Sequence, residues 1–178
     1  MSYEVLVDTG DNNKILGISK SFPAFESPQG NVYKLTTSYS GSIDRKSLRA
    51  VNVNTGAGTC DLEPNNQLAV TLTDLSDQAL PDTSPIDGIP EIAKDTGQCK
   101  IKIQKKDGSG NDLTGAEDND AVEIWADRAG GLSAFTVNLA NGFAEVTLSA
   151  GSLLALVDIS VTDPSGKMRG ATARLQVK

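Results

Sequence analysis

Apolar and polar positions alternate with a period of two through most of this chain, the spacing of strands that bury one face. In the first half the pattern predicts strands over 3–7, 14–19, 32–39, 47–53 and 68–73. The 32–39 segment carries the most β-branched and aromatic side chains of these. A polar turn is expected at 8–13, and a loop at 22–30, where Pro23 and Pro28 cannot donate to a ladder. Residues 74–80 read as one or two helical turns. From 81 to 97 the pattern breaks into Pro81, Pro85, Pro90, Gly88 and several acidic residues, which reads as a linker or a long clamped loop.

The second half is more regular. Ile101 and Ile103 point one way and Lys100 and Lys102 the other over 99–104, and Val122, Ile124 and Ala126 share a face over 122–126. Trp125 then falls on the opposite face. Further strands are expected over 135–139, 143–148, 156–162 and 171–177. Asn141-Gly142 between two alternating runs predicts a tight hairpin, and Asp163-Pro-Ser-Gly166 another turn. Short strands at this spacing, with no long helix, predict an all-β chain with a C-terminal immunoglobulin-like antiparallel sandwich. The domain boundary is placed near residue 95, giving an N-terminal β region over 1–95 and a sandwich over 96–178.

Composition narrows the chemistry. With 178 residues the chain can bury a sizeable core, and with only 4% aromatics that core must rest on Val, Leu, Ile and Ala. A net charge of -7 argues against nucleic acid, whose phosphates require clustered Lys and Arg. No apolar run reaches the ~20 residues of a membrane helix, and the N-terminus lacks the basic start and apolar stretch of a secretory signal. The absence of His removes Ser-His-Asp and Cys-His catalysis, the HExxH metalloprotease motif and most transition-metal sites. Cys60 and Cys99 lack the spacing of a zinc site or redox pair. A disulfide stays open, with two reduced, half-buried thiols the commoner outcome in a cytosolic chain.

Three motifs invite a chemical reading. Gly56 and Gly58 imitate the start of a dinucleotide fingerprint, but Asp61 and Pro64 spoil the glycine and helix that should follow, so a glycine-rich loop is expected. Asp107, Ser109, Asn111 and Asp118 occupy the first, third, fifth and twelfth positions of an EF-hand-like loop. Asp112 replaces the glycine such a loop needs at its sixth position. Asp107, Asn111 and Asp118, with Glu117 and Asp120 nearby, are the candidate ligands of a loose calcium site, weighed against a solvated turn; no other cofactor is expected. Glycosidase carboxylate pairs find little support, because one Trp and three Tyr are few for stacking sugars. Arg45-Lys46 and Lys105-Lys106 read as solvated basic pairs.

Residues 99–178 resemble the bacterial immunoglobulin-like domains of the invasin and intimin type. The resemblance rests on the stretches 107–115 (DGSGNDLTG), 121–124 (AVEI), 141–148 (NGFAEVTL) and 157–163 (VDISVTD). Such modules are similar to those in surface adhesins and in bacteriophage tail and capsid proteins, and the family implies no catalytic residues. The resemblance, the absence of a signal peptide and an N-terminal half too loop-rich to stand comfortably alone lead to one expectation. The chain is a non-enzymatic structural protein of a bacteriophage virion, either a capsid decoration or a tail-associated component, made in the host cytoplasm. It would dock on capsid or tail proteins through its N-terminal half, alone or as a homo-oligomer, without contacting nucleic acid or membrane. Phe22, Phe25, Tyr33 and Tyr39 are the expected interface anchors, against a reading of ordinary core packing. The alternative is a bacterial surface adhesin, or a module binding a glycan or receptor.

Overall fold

The computed structural model describes residues 2–23, 25–41, 48–83, 87–127 and 131–178. The described residues are all β, and they fall into two compact units, Met1–Asn65 and Asn66–Lys178. Arg45-Lys46 and Pro85 lie outside the described residues.

The first unit is one five-stranded sheet in the order β2-β1-β3-β5-β4. β1 (Tyr3–Asp8) turns back into β2 (Lys14–Ser19) through a polar bend in which Asn12 and Asn13 take positive φ, a conformation Asn tolerates. β3 (Val32–Thr37) pairs with β1 along its full length. β4 (Leu48–Asn54) and β5 (Thr59–Pro64) form a hairpin, and β5 joins β3 in parallel through Thr36 and Thr59. The glycine-rich segment is the turn of that hairpin: Gly58 has φ +67° and the Asn54 side chain accepts the Ala57 N–H at 2.9 Å. Edge strands β2 and β4 come within 8 Å of each other, so the sheet curls over its inner face. That face buries Val5, Val7, Leu35, Leu48, Ala50, Cys60 and Leu62.

The second unit is a two-sheet sandwich. One sheet holds β6 (Gln67–Thr73), β8 (Gln98–Lys106), β12 (Phe143–Ser149) and the short β10 (Gly131–Leu132). The other holds β7 (Glu91–Ile92), β14 (Ala171–Val177), β13 (Ala155–Thr162), β9 (Ala121–Ala126) and β11 (Thr136–Asn138). The inward residues of both sheets, among them Cys99, Ile101, Ile103, Leu148, Val122, Val157, Ile159, Val161 and Leu175, make one buried cluster. Each such aliphatic side chain contributes about 1.5–3 kcal/mol on leaving water. The strands follow the immunoglobulin arrangement, with β6, β8, β12 and β10 as A, B, E and D, and β9, β13 and β14 as C, F and G. β7 continues the first strand onto the opposite sheet, where it pairs in parallel with β14.

Several expectations change. The unit boundary lies at Asn65/Asn66 rather than near residue 95, because β6 pairs with β8 from Gln67↔Lys106 to Thr73↔Lys100 and so belongs to the sandwich. Of the two readings of segment 81–97, the clamped loop holds and the linker does not. The described part of the segment is docked, with Glu91 N–H on Pro81 O, Gln176 N–H on Pro90 O and Lys94 N–H on Lys178 O. Residues 74–80 form a capped turn, not helix: Asp74 Oδ1 accepts the N–H groups of Ser76 and Gln78, both at 2.8 Å. The Asn141-Gly142 turn forms, with φ of 51° and 77°, and Ala140 bridges Phe143. Its arms do not pair as a hairpin, because β11 goes to β9 and β12 goes to β8. The turn is an arch between the two sheets.

Candidate functional site

Asp107 opens the loop after β8 and is consumed by it. Its Oδ1 accepts the N–H groups of Ser109 and Asn111 at 2.8 and 2.9 Å, and its Oδ2 accepts the Asn111 side-chain amide at 2.9 Å. The Asn111 bonds, side chain first, hold the Asp107 carboxyl below its usual range. Asn111 therefore presents a donor to Asp107, which is the wrong polarity for a shared cation.

Asp118 is elsewhere engaged. The side chain of Lys105 comes from β8, where the alternation that buries Cys99, Ile101 and Ile103 runs on for one more step. Lys105 is thus an inward residue at 7% exposure, not half of a solvated pair. Its Nζ lies 2.8 Å from Asp118 Oδ1 and 2.6 Å from Asp120 Oδ2. Asp118 is also 7% exposed, and its Oδ2 accepts the Gly115 N–H at 3.0 Å. Burial pulls the Lys105 ammonium down, but Asp118 and Asp120 outweigh burial and hold it above its usual value. Lys105 in turn holds the Asp118 carboxyl low, against the opposing effect of burial.

The three expected calcium ligands are therefore not gathered. Among the described residues, no group of three or more acidic or cysteine side chains is placed to hold a metal ion. An ammonium already occupies the pocket between Asp118 and Asp120. Neighbouring Lys106 is half-buried and pairs with Asp112, which stands where an EF-hand loop has its glycine.

The four expected anchors are half-buried. Tyr33 and Tyr39 pack against the core of the first unit. Phe22 covers Gly17, where an added Cβ would lie 3.1 Å from its ring, and its N–H is held by the Glu4 carboxylate. Phe25 N–H closes a turn onto Phe22 O at 3.1 Å. Packing within their own unit accounts for Phe22, Tyr33 and Tyr39.

Among the described residues, the large apolar groups most exposed to solvent are on the sandwich. Trp125 is 59% exposed, Phe135 67%, Leu153 66% and Leu154 68%. Trp125 leaves the outer face of β9, as the alternation requires, beside Ser160 on β13. Glu123 lies on the same face, as does the ion pair of Asp158 with Arg174 at 2.8 Å. Leu154 and Leu156 line an open cavity of about 410 Å³ with Ala155, Gln176, Val177 and Lys178. Composition did not reveal these positions. Trp125 was legible from its place out of phase in β9, whereas Leu153 and Leu154 precede the expected 156–162 strand and carry no such phase.

Cys60 and Cys99 are free and buried. Burial pushes the Cys99 thiol up to about 11, and burial followed by the nearby Asp61 charge pushes Cys60 up to about 11. Among the described residues no helix is long and apolar enough to cross a membrane.

No protein-family model matches the sequence, and no curated protein matches it. Among solved structures, the chain is similar to a β-glycosidase from Bacteroides vulgatus at 12% identity and a TM-score of 0.48, covering 99% of this chain and 21% of that one. A glycosyl hydrolase family 2 member from Bacteroides cellulosilyticus shows 11% identity and a TM-score of 0.49, over 99% and 21% of the two chains. A β-glucuronidase from glycoside hydrolase family 2 gives 12% identity and a TM-score of 0.47, over 99% and 17%. This chain spans about a fifth of the length of such proteins, and nothing of their activity is carried to it.

Proposed function

We propose that this chain is a non-enzymatic structural protein of a bacteriophage virion that binds capsid or tail proteins and acts by adhesion. The observation that carries the reading is the exposure of Leu153 and Leu154 beside the open cavity at Leu156, an apolar surface costly to leave in water. A protein partner with basic groups would complement the net charge of -7. In this reading the docking surface lies on the sandwich, at Leu153 and Leu154, rather than at Phe22, Phe25, Tyr33 and Tyr39. The test is co-sedimentation of the purified chain with purified virions or capsids. Binding that L153S/L154S weakens at least tenfold supports the reading, and no co-sedimentation overturns it.

A second reading, a surface adhesin or glycan-binding module, is favoured by Trp125. An exposed indole flanked on one face by Glu123, Ser160, Asp158 and Arg174 offers a stacking platform with polar groups around it. Binding on a glycan array that W125A abolishes would support this reading, and an array without signal would remove it.

A further inference from the structure

We propose that Lys105 and Asp118 condense to an intramolecular amide, with Asp120 carrying the proton, so that the mature sandwich is cross-linked between β8 and the loop that follows it. The nucleophile and the carboxyl are already in contact, Lys105 Nζ at 2.8 Å from Asp118 Oδ1, and both residues are buried at 7% exposure. The second carboxylate, Asp120, touches the same nitrogen at 2.6 Å from another side.

The backbone holds this contact from several directions. Lys105 N–H donates to Gly142 O at 2.7 Å, and its carbonyl accepts Leu113 N–H at 2.9 Å. Asp118 N–H donates to Gly115 O, its carbonyl accepts Gly142 N–H, and its Oδ2 accepts Gly115 N–H, each at 3.0 Å. Strand, loop and arch therefore fix both reacting groups, which turns a bimolecular condensation into a local one.

The resting state is the ion pair, which the carboxylates and the ammonium hold against burial, and the reactive form is its minor neutral tautomer. One proton passes from the Lys105 ammonium to the Asp118 carboxylate, leaving an amine beside a carboxylic acid. The nitrogen lone pair attacks Cγ of Asp118, and the N–C bond forms. Asp120 then takes a second proton from nitrogen and delivers it to the departing hydroxyl. The C–O bond breaks, water leaves, and Asp120 is again a carboxylate. The amide keeps one hydrogen on nitrogen, and no oxidant or cofactor takes part. Asp118 is assigned as the acyl partner because it is the more buried and more constrained of the two carboxylates. Asp120, with a side chain 29% exposed, lies nearer the water that must accept the product.

The product removes a charge pair from the interior and leaves a neutral amide. The amide closes the 107–118 loop covalently on the inner face of β8.

The experiment is intact mass spectrometry of the full, freshly purified chain, followed by tandem sequencing of the linked peptides. The expected mass is that of the sequence less one water, with Lys105 joined to Asp118. K105M and D118A should each show no such loss. D120A should fold, by circular dichroism, and keep the unmodified mass. A native chain at the full sequence mass after prolonged incubation overturns the proposal. A link from Lys105 to Asp120 overturns the assignment of Asp118, and dehydration in D120A overturns the proton-carrying role.

Discussion

Replacing Gly142 with Ala isolates what the arch between the sheets contributes. Gly142 has φ +77°, and a Cβ there would lie 1.9 Å from the Leu113 carbonyl oxygen, where ordinary contact needs at least 3.4 Å. The positive φ alone costs an L-residue about 1–2 kcal/mol. The clash is with backbone, so it cannot be relieved by turning a side chain. Either the arch or the 113–118 loop must move by more than an ångström. That movement strains the bonds that Gly142 makes to Lys105, to Asp118 and to the Gln104 side chain. Leaving even one of these partners unmet in the interior adds about 1–3 kcal/mol. The expected loss is roughly 3–5 kcal/mol, large for a single methyl group.

Gly166 supplies the control. Its φ is +70°, but an added Cβ meets nothing within 4 Å, so G166A should lose only the conformational cost of about 1–2 kcal/mol. The assay is urea unfolding followed by circular dichroism, with the fluorescence of Trp125, the sole Trp, marking the sandwich transition. A gap between the two variants of about 2 kcal/mol or more is expected from the unmet backbone partners. Equal losses in G142A and G166A would refute the role assigned to the Leu113 contact.

I159A, at a fully buried site, should cost about 2–5 kcal/mol, while L154A at 68% exposure should stay within about 0.5 kcal/mol; the same urea assay decides. Cys60 and Cys99, both pushed up to about 11, should resist Ellman's reagent at pH 8 in the native chain and react fully in denaturant; native labelling of either thiol would contradict their burial. Lys100, then Lys102, holds the Asp77 carboxyl below its usual value. A lowered folded pKa gives stability that is whole above the unfolded value near pH ~4 and fades as pH falls through the folded one. An NMR titration should therefore place Asp77 below an ordinary aspartate, and D77N should flatten the acid limb of the stability curve. Asp107 should also titrate low, chiefly through Asn111, and N111A should return it toward the ordinary aspartate range in the same spectra.

Local pattern decided much of this molecule. Period-two alternation placed the stretches that became β1, β3, β8, β9, β13 and β14, and it set which face each buries, because a strand's side chains must alternate whatever it pairs with. Asp and Asn at turn positions determined their own caps, as at Asp107 and Asp163, since those bonds reach only a few residues along the chain. The all-β class followed from those two signals. Pairing did not. Asn141-Gly142 makes the same tight turn in a hairpin as in an arch, and only the burial of Leu139 and Val146 in a shared core sends its arms to different sheets. The boundary at Asn65/Asn66 and the docking of β7 depend on ladders between residues far apart in sequence, whose partners no local window contains. Lys105 lies between the two cases. Its inward phase was visible as one more step of the β8 alternation. That two carboxylates would meet it there was settled by the loop folding back, because a buried ammonium must find counter-charge wherever the tertiary structure can bring it.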